Sequence, residues 1–200
     1  MITFYLVRHG TKEAIPFDPP LTSVGLKQAE MTSESLKGIR FKQILASPKL
    51  RTRQTAEIIA KPHSIEVHSD KRLVERLEWE NNETFDEFIT EWNKTDLDRS
   101  HIPLRSVSSK SNGERMKDLL DELAEKHVDG NILIVSHGGT IGDLLRNLFT
   151  EDAIEHISES TSGVRYIDIV ECSITTIQKN NEQFDLLKIG DISHLSIQLI

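Results

Sequence analysis

Asn131-Ile132-Leu133-Ile134-Val135-Ser136-His137-Gly138-Gly139 decides how this chain folds. Ile132 to Val135 are four consecutive β-prone apolar residues. A short run apolar at every position suits a strand buried on both faces of a sheet. Gly139 opens a helix expected to run to about Phe149. On the other side, Gly130-Asn131 ends a helix from Ser111 to about His127, in which Met116, Leu119, Leu120 and Leu123 recur at helical spacing. The segment therefore reads as helix, central strand, helix.

The same alternation extends outward. Ile2 to Val7 is a buried strand, and Thr11 to Pro20, with three prolines, is a loop. Thr22 can cap a helix to Leu36, Gln43 to Ala46 is a strand, and Ser47-Pro48 leads into a helix ending near Ala60. Ile65 to His68 is a further brief strand. Arg72 to Ser111 is the least regular stretch, with one helix from about Phe85 to Trp92. The tail from Val164 to Ile189 reads as strands joined near Lys179-Asn180-Asn181. Strands alternating with helices predict a three-layer α/β/α sandwich around a mostly parallel sheet, in one domain over residues 1–200.

In such sheets ligands bind beyond the carboxyl ends of the strands. The first strand exits into Arg8-His9-Gly10, the central one into Ser136-His137-Gly138-Gly139, and the second into Ser47-Pro48-Lys49-Leu50-Arg51. Two His-Gly pairs are thereby expected at one sheet edge. The helix beginning near Gly139 would aim free N–H groups there, which suits an anion. Arg8 and Arg51 could clamp phosphate oxygens in bidentate fashion.

Composition removes other classes. Lys plus Arg number 24 against 32 Asp plus Glu, a formal charge of −8, which argues against a nucleic-acid partner. Cys172 is the sole cysteine, so no internal disulfide and no Cys cluster for zinc is available. No apolar run approaches the roughly 20 residues that span a bilayer, and the first residues lack a signal-peptide pattern. No membrane partner and a cytoplasmic location are expected. His63, His68, His101, His127 and His156 show no metal-ligand spacing. Cys172 has Gln178, not arginine, six positions on, which argues against a thiolate phosphate loop. Asp96-Leu97-Asp98 follows a polar segment rather than a strand, which argues against an aspartyl-phosphate site.

Leu6-Val7-Arg8-His9-Gly10, Ser47-Pro48-Lys49-Leu50-Arg51 with Gln54-Thr55-Ala56, Leu73-Val74-Glu75-Arg76 and Val135-Ser136-His137-Gly138-Gly139 resemble the signature segments of the histidine phosphatase superfamily, the phosphoglycerate-mutase-like group. Gly190-Asp191-Ile192-Ser193-His194-Leu195 resembles the end of many small members. The resemblance implies that His9 becomes phosphorylated and that Arg8, Arg51 and His137 hold the transferring phosphoryl group. It implies that Glu75 donates a proton to the leaving group. Gly10, Thr11 and Gly138 would be further substrate contacts, and neither metal nor cofactor is required. The chemistry is consistent, because phosphoryl transfer needs positioning and charge stabilisation above all.

There are departures. The stretch after Gly10, Thr11-Lys12-Glu13-Ala14-Ile15-Pro16, is shorter than the polar stretch that family mutases and many phosphatases carry. Arg76-Leu77-Glu78-Trp79-Glu80 has the tryptophan of the family's Gly-Xaa-Trp pattern but no glycine, which makes Glu78 a lesser rival to Glu75 as acid. The expected activity is hydrolysis of phosphomonoesters through a phosphohistidine on His9. The alternatives are a phosphoglycerate mutase and a non-catalytic phospho-ligand-binding module. The expected partner is a small phosphorylated metabolite. Sugar phosphates, ribazole phosphate, nucleotides and phosphoproteins all stay open as substrates, and oligomeric state is not legible. Arg76, Arg99 and Arg105 are candidates for a second anionic group, though each also fits a surface charge.

Overall fold

Ile132 and Ile134 enter one apolar cluster, Leu133 and Val135 another, so the central strand feeds cores on both its faces. Phe4 and Leu6 share the first cluster, while Val7 lies in the second. This period-2 division of an all-apolar run is what a sheet between two helical layers demands.

The computed structural model describes residues 1–80, 82–157, 169–181 and 183–195. In chain order it contains β1 (Ile2–Arg8), α1 (Ser23–Leu36), β2 (Phe41–Ala46), α2 (Leu50–Ala60), β3 (Val67–Ser69), α3 (Phe85–Leu97), α4 (Ser109–Lys126), β4 (Gly130–Ser136), α5 (Gly138–Leu148), α6 (Glu151–Ile157), β5 (Ile174–Asn180) and β6 (Gln183–Asp191). The six strands lie in the order β3-β2-β4-β1-β5-β6. β3, β2, β4 and β1 run parallel, and β5 and β6 continue the sheet antiparallel. Leu36 of α1 and Ala56 and Ile59 of α2 cover one face. Met116, Leu119 and Leu120 of α4, with Ile141 and Leu144 of α5, cover the other. The architecture is thus the expected three-layer sandwich with a mostly parallel sheet.

Several boundaries differ from the sequence reading. The third strand lies at Val67–Ser69 rather than starting at Ile65. α4 starts two residues before Ser111, because Ser108 accepts from Ser111 N at 3.1 Å and serves as the cap. α3 extends past Trp92 to Leu97. α6 carried no helix reading from sequence. The expected tail strands are β5 and β6, while the part from Val164 to 168 lies outside the described residues. His194 in the tail meets Thr32 Oγ1 at 3.0 Å, and Leu195 joins Ala29 and Cys172 in a small apolar cluster.

The irregular stretch between β3 and α4 is fixed by a buried ionic cluster. Arg76, only 1% exposed, donates to both oxygens of the fully buried Asp143 at 2.9 and 3.0 Å. Its Nε donates to Thr95 Oγ1 at 2.9 Å, it also pairs with Asp96, and its guanidinium stacks 4.0 Å over the Trp92 ring. Ser109 and Asn112 of α4 donate to the same Asp143 at 2.6 and 2.9 Å. A buried charge is tolerated only when paired and hydrogen-bonded in this way. The cluster therefore ties α3, α4 and α5 to the segment that follows Leu73, and Arg76 is neither a surface charge nor free for an anion.

Candidate active site

Parallel pairing sets Val7 opposite Val135 and Arg8 opposite Ser136, and Ala46 opposite Val135 on the other side. The three strands end level. His9 N then donates to Ser136 O at 3.0 Å, and Ser47 N to Val135 O at 3.0 Å, which carries the ladder one residue into the loops. His9, Ser47 and His137 consequently emerge side by side. The two His-Gly pairs share one edge, as expected from the strand exits.

His9 is 4% exposed and His137 1%. Their rings lie edge to face with centroids 5.3 Å apart. His9 Nδ1 is 2.8 Å from Gly10 O, and a carbonyl only accepts, so the proton sits on Nδ1. Nε2 is left with its lone pair, which accepts from Arg51 Nε at 3.2 Å. Burial, then the charges of Arg51 and Arg8, hold the His9 imidazole well below its ordinary pKa, with the Gly10 bond opposing. His9 is therefore neutral near pH 7, with a nucleophilic nitrogen exposed to the guanidinium edge.

Arg51 lies on the first turn of α2 and is 3% exposed. Its Nη2 donates to His137 Nδ1 at 3.1 Å and to both Glu78 oxygens at 2.8 and 3.1 Å. That places the His137 proton on Nε2, 2.9 Å from Ser47 Oγ. Burial, reinforced by Arg51, holds His137 well below its ordinary pKa as well. Arg8 donates to Ile169 O at 2.6 Å and pairs with Glu171. Arg51 Nη1 and Arg8 Nε are buried donors without hydrogen-bond partners among the described residues.

Glu75 reaches the start of α5. Gly139 N donates to its Oε2 at 3.0 Å, while Thr140 Oγ1 and Arg76 N donate to its Oε1 at 3.1 and 2.9 Å. The approach needs glycine at 139, since a Cβ there would sit 2.6 Å from Glu75 Oε1 and from Trp92. Burial raises the Glu75 pKa, with the Asp143 and Glu78 charges assisting and Arg76 opposing. The two donors on Oε1 fill its lone-pair directions, whereas Oε2 accepts only from Gly139 N and retains one, where a proton can face a leaving group.

The remaining expected contacts are accounted for as follows. Gly10 N donates to Thr55 Oγ1 at 3.1 Å, and the Thr11 hydroxyl donates to Gln28 Oε1 at 3.0 Å. Gly138 packs on Arg8, which a Cβ there would approach to 3.4 Å. Arg99 donates to the Arg146 and Asp143 carbonyls at 3.0 and 3.3 Å, and Arg105 is exposed and paired with Glu80 at 3.4 Å. Neither joins the cluster around His9.

Sequence reasoning missed several neighbours. Ser47 was legible only as part of a strand exit. Glu171 has no sequence signal, because it reaches Arg8 through β-pairing across the chain. Lys12 is half-buried beside the site, where burial and the Arg51 charge lower its pKa and Glu78 raises it. Burial pushes the Cys172 thiol up to about 12, so it carries no thiolate at neutral pH. Among the described residues no group of three or more His, Cys, Asp or Glu could hold a metal ion, and no helix is long and apolar enough to cross a membrane.

The chain is similar to known proteins over nearly its whole length. A protein of Proteus mirabilis named probable phosphoglycerate mutase GpmB is 30% identical, with 98% of this chain and 96% of that protein covered. The phosphoserine phosphatase of Entamoeba histolytica superposes with a TM-score of 0.76 at 25% identity, covering 98% of this chain and 100% of that one. A mycobacterial glucosyl-3-phosphoglycerate phosphatase gives a TM-score of 0.78 at 19% identity, covering 97% and 99%, and shares the fold. The model of the histidine phosphatase superfamily, branch 1, matches residues 4–192. That match spans nearly the whole chain, and the chain belongs to the histidine phosphatase superfamily.

Proposed function

We propose that the protein is a metal-independent phosphomonoester hydrolase that works through a phosphohistidine on His9. The observation that carries this reading is the neutral His9, whose Nε2 accepts from Arg51, together with the buried N–H donors of Arg51 Nη1 and Arg8 Nε that have no partner among the described residues. A buried donor without a partner costs about 1–3 kcal/mol, and phosphoryl oxygens would satisfy both. Nε2 attacks phosphorus in line, the P–O bond to the leaving group breaks, and Glu75 gives that oxygen its proton. Water then attacks the phosphohistidine, with the Glu75 carboxylate accepting a proton, and inorganic phosphate departs. Arg8, Arg51 and His137 meet the phosphoryl oxygens, and Gly10, Thr11 and Gly138 form the walls around them. The substrate is a small phosphorylated metabolite.

The mutase is the second reading, favoured by the name of the Proteus relative. Chain length does not separate the two, since this chain covers 96% of that relative. Hydrolysis is supported by what surrounds the site. A phosphoglycerate carboxylate would need its own cation, and with Arg76 consumed by Asp143 and Asp96 and Arg99 by carbonyls that role would fall to Lys12 or to Lys49, which already faces Glu78 at 3.8 Å. Glu78, Glu171 and Asp18 instead bring carboxylates to the arginines. A panel of phosphate monoesters should release inorganic phosphate. Incubation with 3-phosphoglycerate, with or without a bisphosphate primer, should give no rapid equilibration with 2-phosphoglycerate. Fast interconversion would move the assignment to the mutase, and no phosphoenzyme with any substrate would move it to a binding module.

Arg8 and Arg51 supply the positive charge that a metal supplies elsewhere. Activity is therefore expected to survive exhaustive EDTA treatment. A large loss restored by Zn²⁺ or Mg²⁺ would overturn the metal-free scheme.

A further inference from the structure

Glu78 occupies an unusual place for a carboxylate. It lies three residues beyond Glu75, on the wall stretch held by the Arg76 cluster, and folds back onto the phosphate-clamping arginine. Arg51 Nη2 reaches Glu78 Oε1 at 2.8 Å and Oε2 at 3.1 Å, and Lys49 Nζ is 3.8 Å from Oε1. Arg51 is 3% exposed and Glu78 21%, so the pair is largely shielded from solvent screening. The same Nη2 donates to His137, and the same guanidinium donates through Nε to His9 Nε2. Glu78 thus presents two anionic oxygens to the cation that faces the nucleophile, which is the geometry a phosphoryl group would adopt. The oxygens of a carboxylate and of a phosphate compete for the same guanidinium edge.

Resting on the phosphatase reading, we infer that Glu78 is an internal competitor for the phosphoryl seat and sets how weakly inorganic phosphate is held. In the free protein Glu78 keeps Arg51 paired and oriented. When a phosphate ester enters, Arg51 Nη2 exchanges Glu78 for a phosphoryl oxygen, and the Glu78 carboxylate moves outward, where Lys49 still faces it. After hydrolysis Glu78 returns and displaces the product. A paired state favoured about ten to one weakens apparent phosphate affinity about tenfold. Glu78 acts on the reaction through Arg51 and is a positioning residue. The neighbouring carboxylates behave differently. Glu171 holds Arg8 beside the Ile169 carbonyl, and Asp18 stands 3.7 Å from Arg51 Nη1 while it accepts from Leu50 N at 2.8 Å.

The test is calorimetric titration of inorganic phosphate into the wild-type chain, Glu78→Gln and Glu78→Ala, with Glu34→Gln as a control that removes one remote exposed charge. Both Glu78 variants should bind phosphate about tenfold more tightly than wild type, and the control should not. In steady state the Glu78 variants should show lower KM for a phosphate ester and stronger phosphate inhibition, without a rise in kcat. Equal dissociation constants in wild type and both variants, or weaker binding in the variants, would overturn the competitor role while leaving the phosphate site intact. Binding of phosphate by none of the proteins would overturn the site itself, and the inference with it.

Discussion

His9→Ala is expected to abolish turnover while the fold persists. The imidazole is buried just beyond the end of β1, but among the described residues its side chain makes only the Gly10 and Arg51 hydrogen bonds, so the β-ladder at His9 N survives its removal. Loss of a covalent nucleophile typically costs on the order of 10⁴-fold or more, because the rest of the constellation works only as a unit. Rapid quenching of the wild-type reaction with ³²P-labelled substrate should give an acid-labile, alkali-stable adduct on the His9 peptide, absent from the variant. Label on Cys172 or on an aspartate would defeat the mechanism. The pH profile gives an independent check. The His9 pKa is depressed, so the ring stays neutral as pH falls through the ordinary imidazole value of 6.5 and protonates only well below it. No acidic limb attributable to His9 should therefore appear near 6.5; one there would mean that burial and the charges of Arg51 and Arg8 do not act on the ring as the geometry requires.

The strand exits were legible because a central parallel strand must be apolar on both faces, and few segments of this chain meet that demand. Ile132 to Val135 did, and once it was central the level of His9, Ser47 and His137 followed from parallel register. Thr22 was equally legible as a cap, since its Oγ1 accepts from Gly25 N at 3.0 Å. The wall beyond Leu73 was not legible. Its order comes from Arg76 meeting Asp143, 67 positions away in sequence, and no local period encodes such a pair. The same limit applied to Glu78, whose bond to Arg51 spans 27 positions and joins a loop to a helix start. Local propensity and motif spacing read what neighbours in sequence decide, and buried ion pairs between distant segments fall outside both.

Glu75→Gln should separate leaving groups. An alkoxide leaves poorly near neutral pH, so an alkyl phosphate needs a proton on its bridging oxygen, whereas nitrophenolate does not. Burial raises the Glu75 pKa even though Arg76 N, Thr140 Oγ1 and Gly139 N donate to the carboxylate and favour its charge. The raised value keeps the acid protonated to higher pH than an exposed carboxyl, and turnover of the alkyl ester is lost as pH rises through it. Glu75→Gln should therefore slow an alkyl phosphate by about 10²-fold or more and erase its alkaline limb. p-Nitrophenyl phosphate should be slowed much less. Glutamine preserves acceptance from Gly139 N or Thr140 Oγ1, which separates loss of the proton from loss of the wall. Glu78→Gln, which is expected to change KM, should leave the ratio of alkyl to aryl rates unaltered. Equal losses on both esters for Glu75→Gln would make Glu75 a positioning residue. A loss in Glu78→Gln that grows with leaving-group pKa would transfer the acid to Glu78, and with it would end that residue's assignment as a competitor for phosphate.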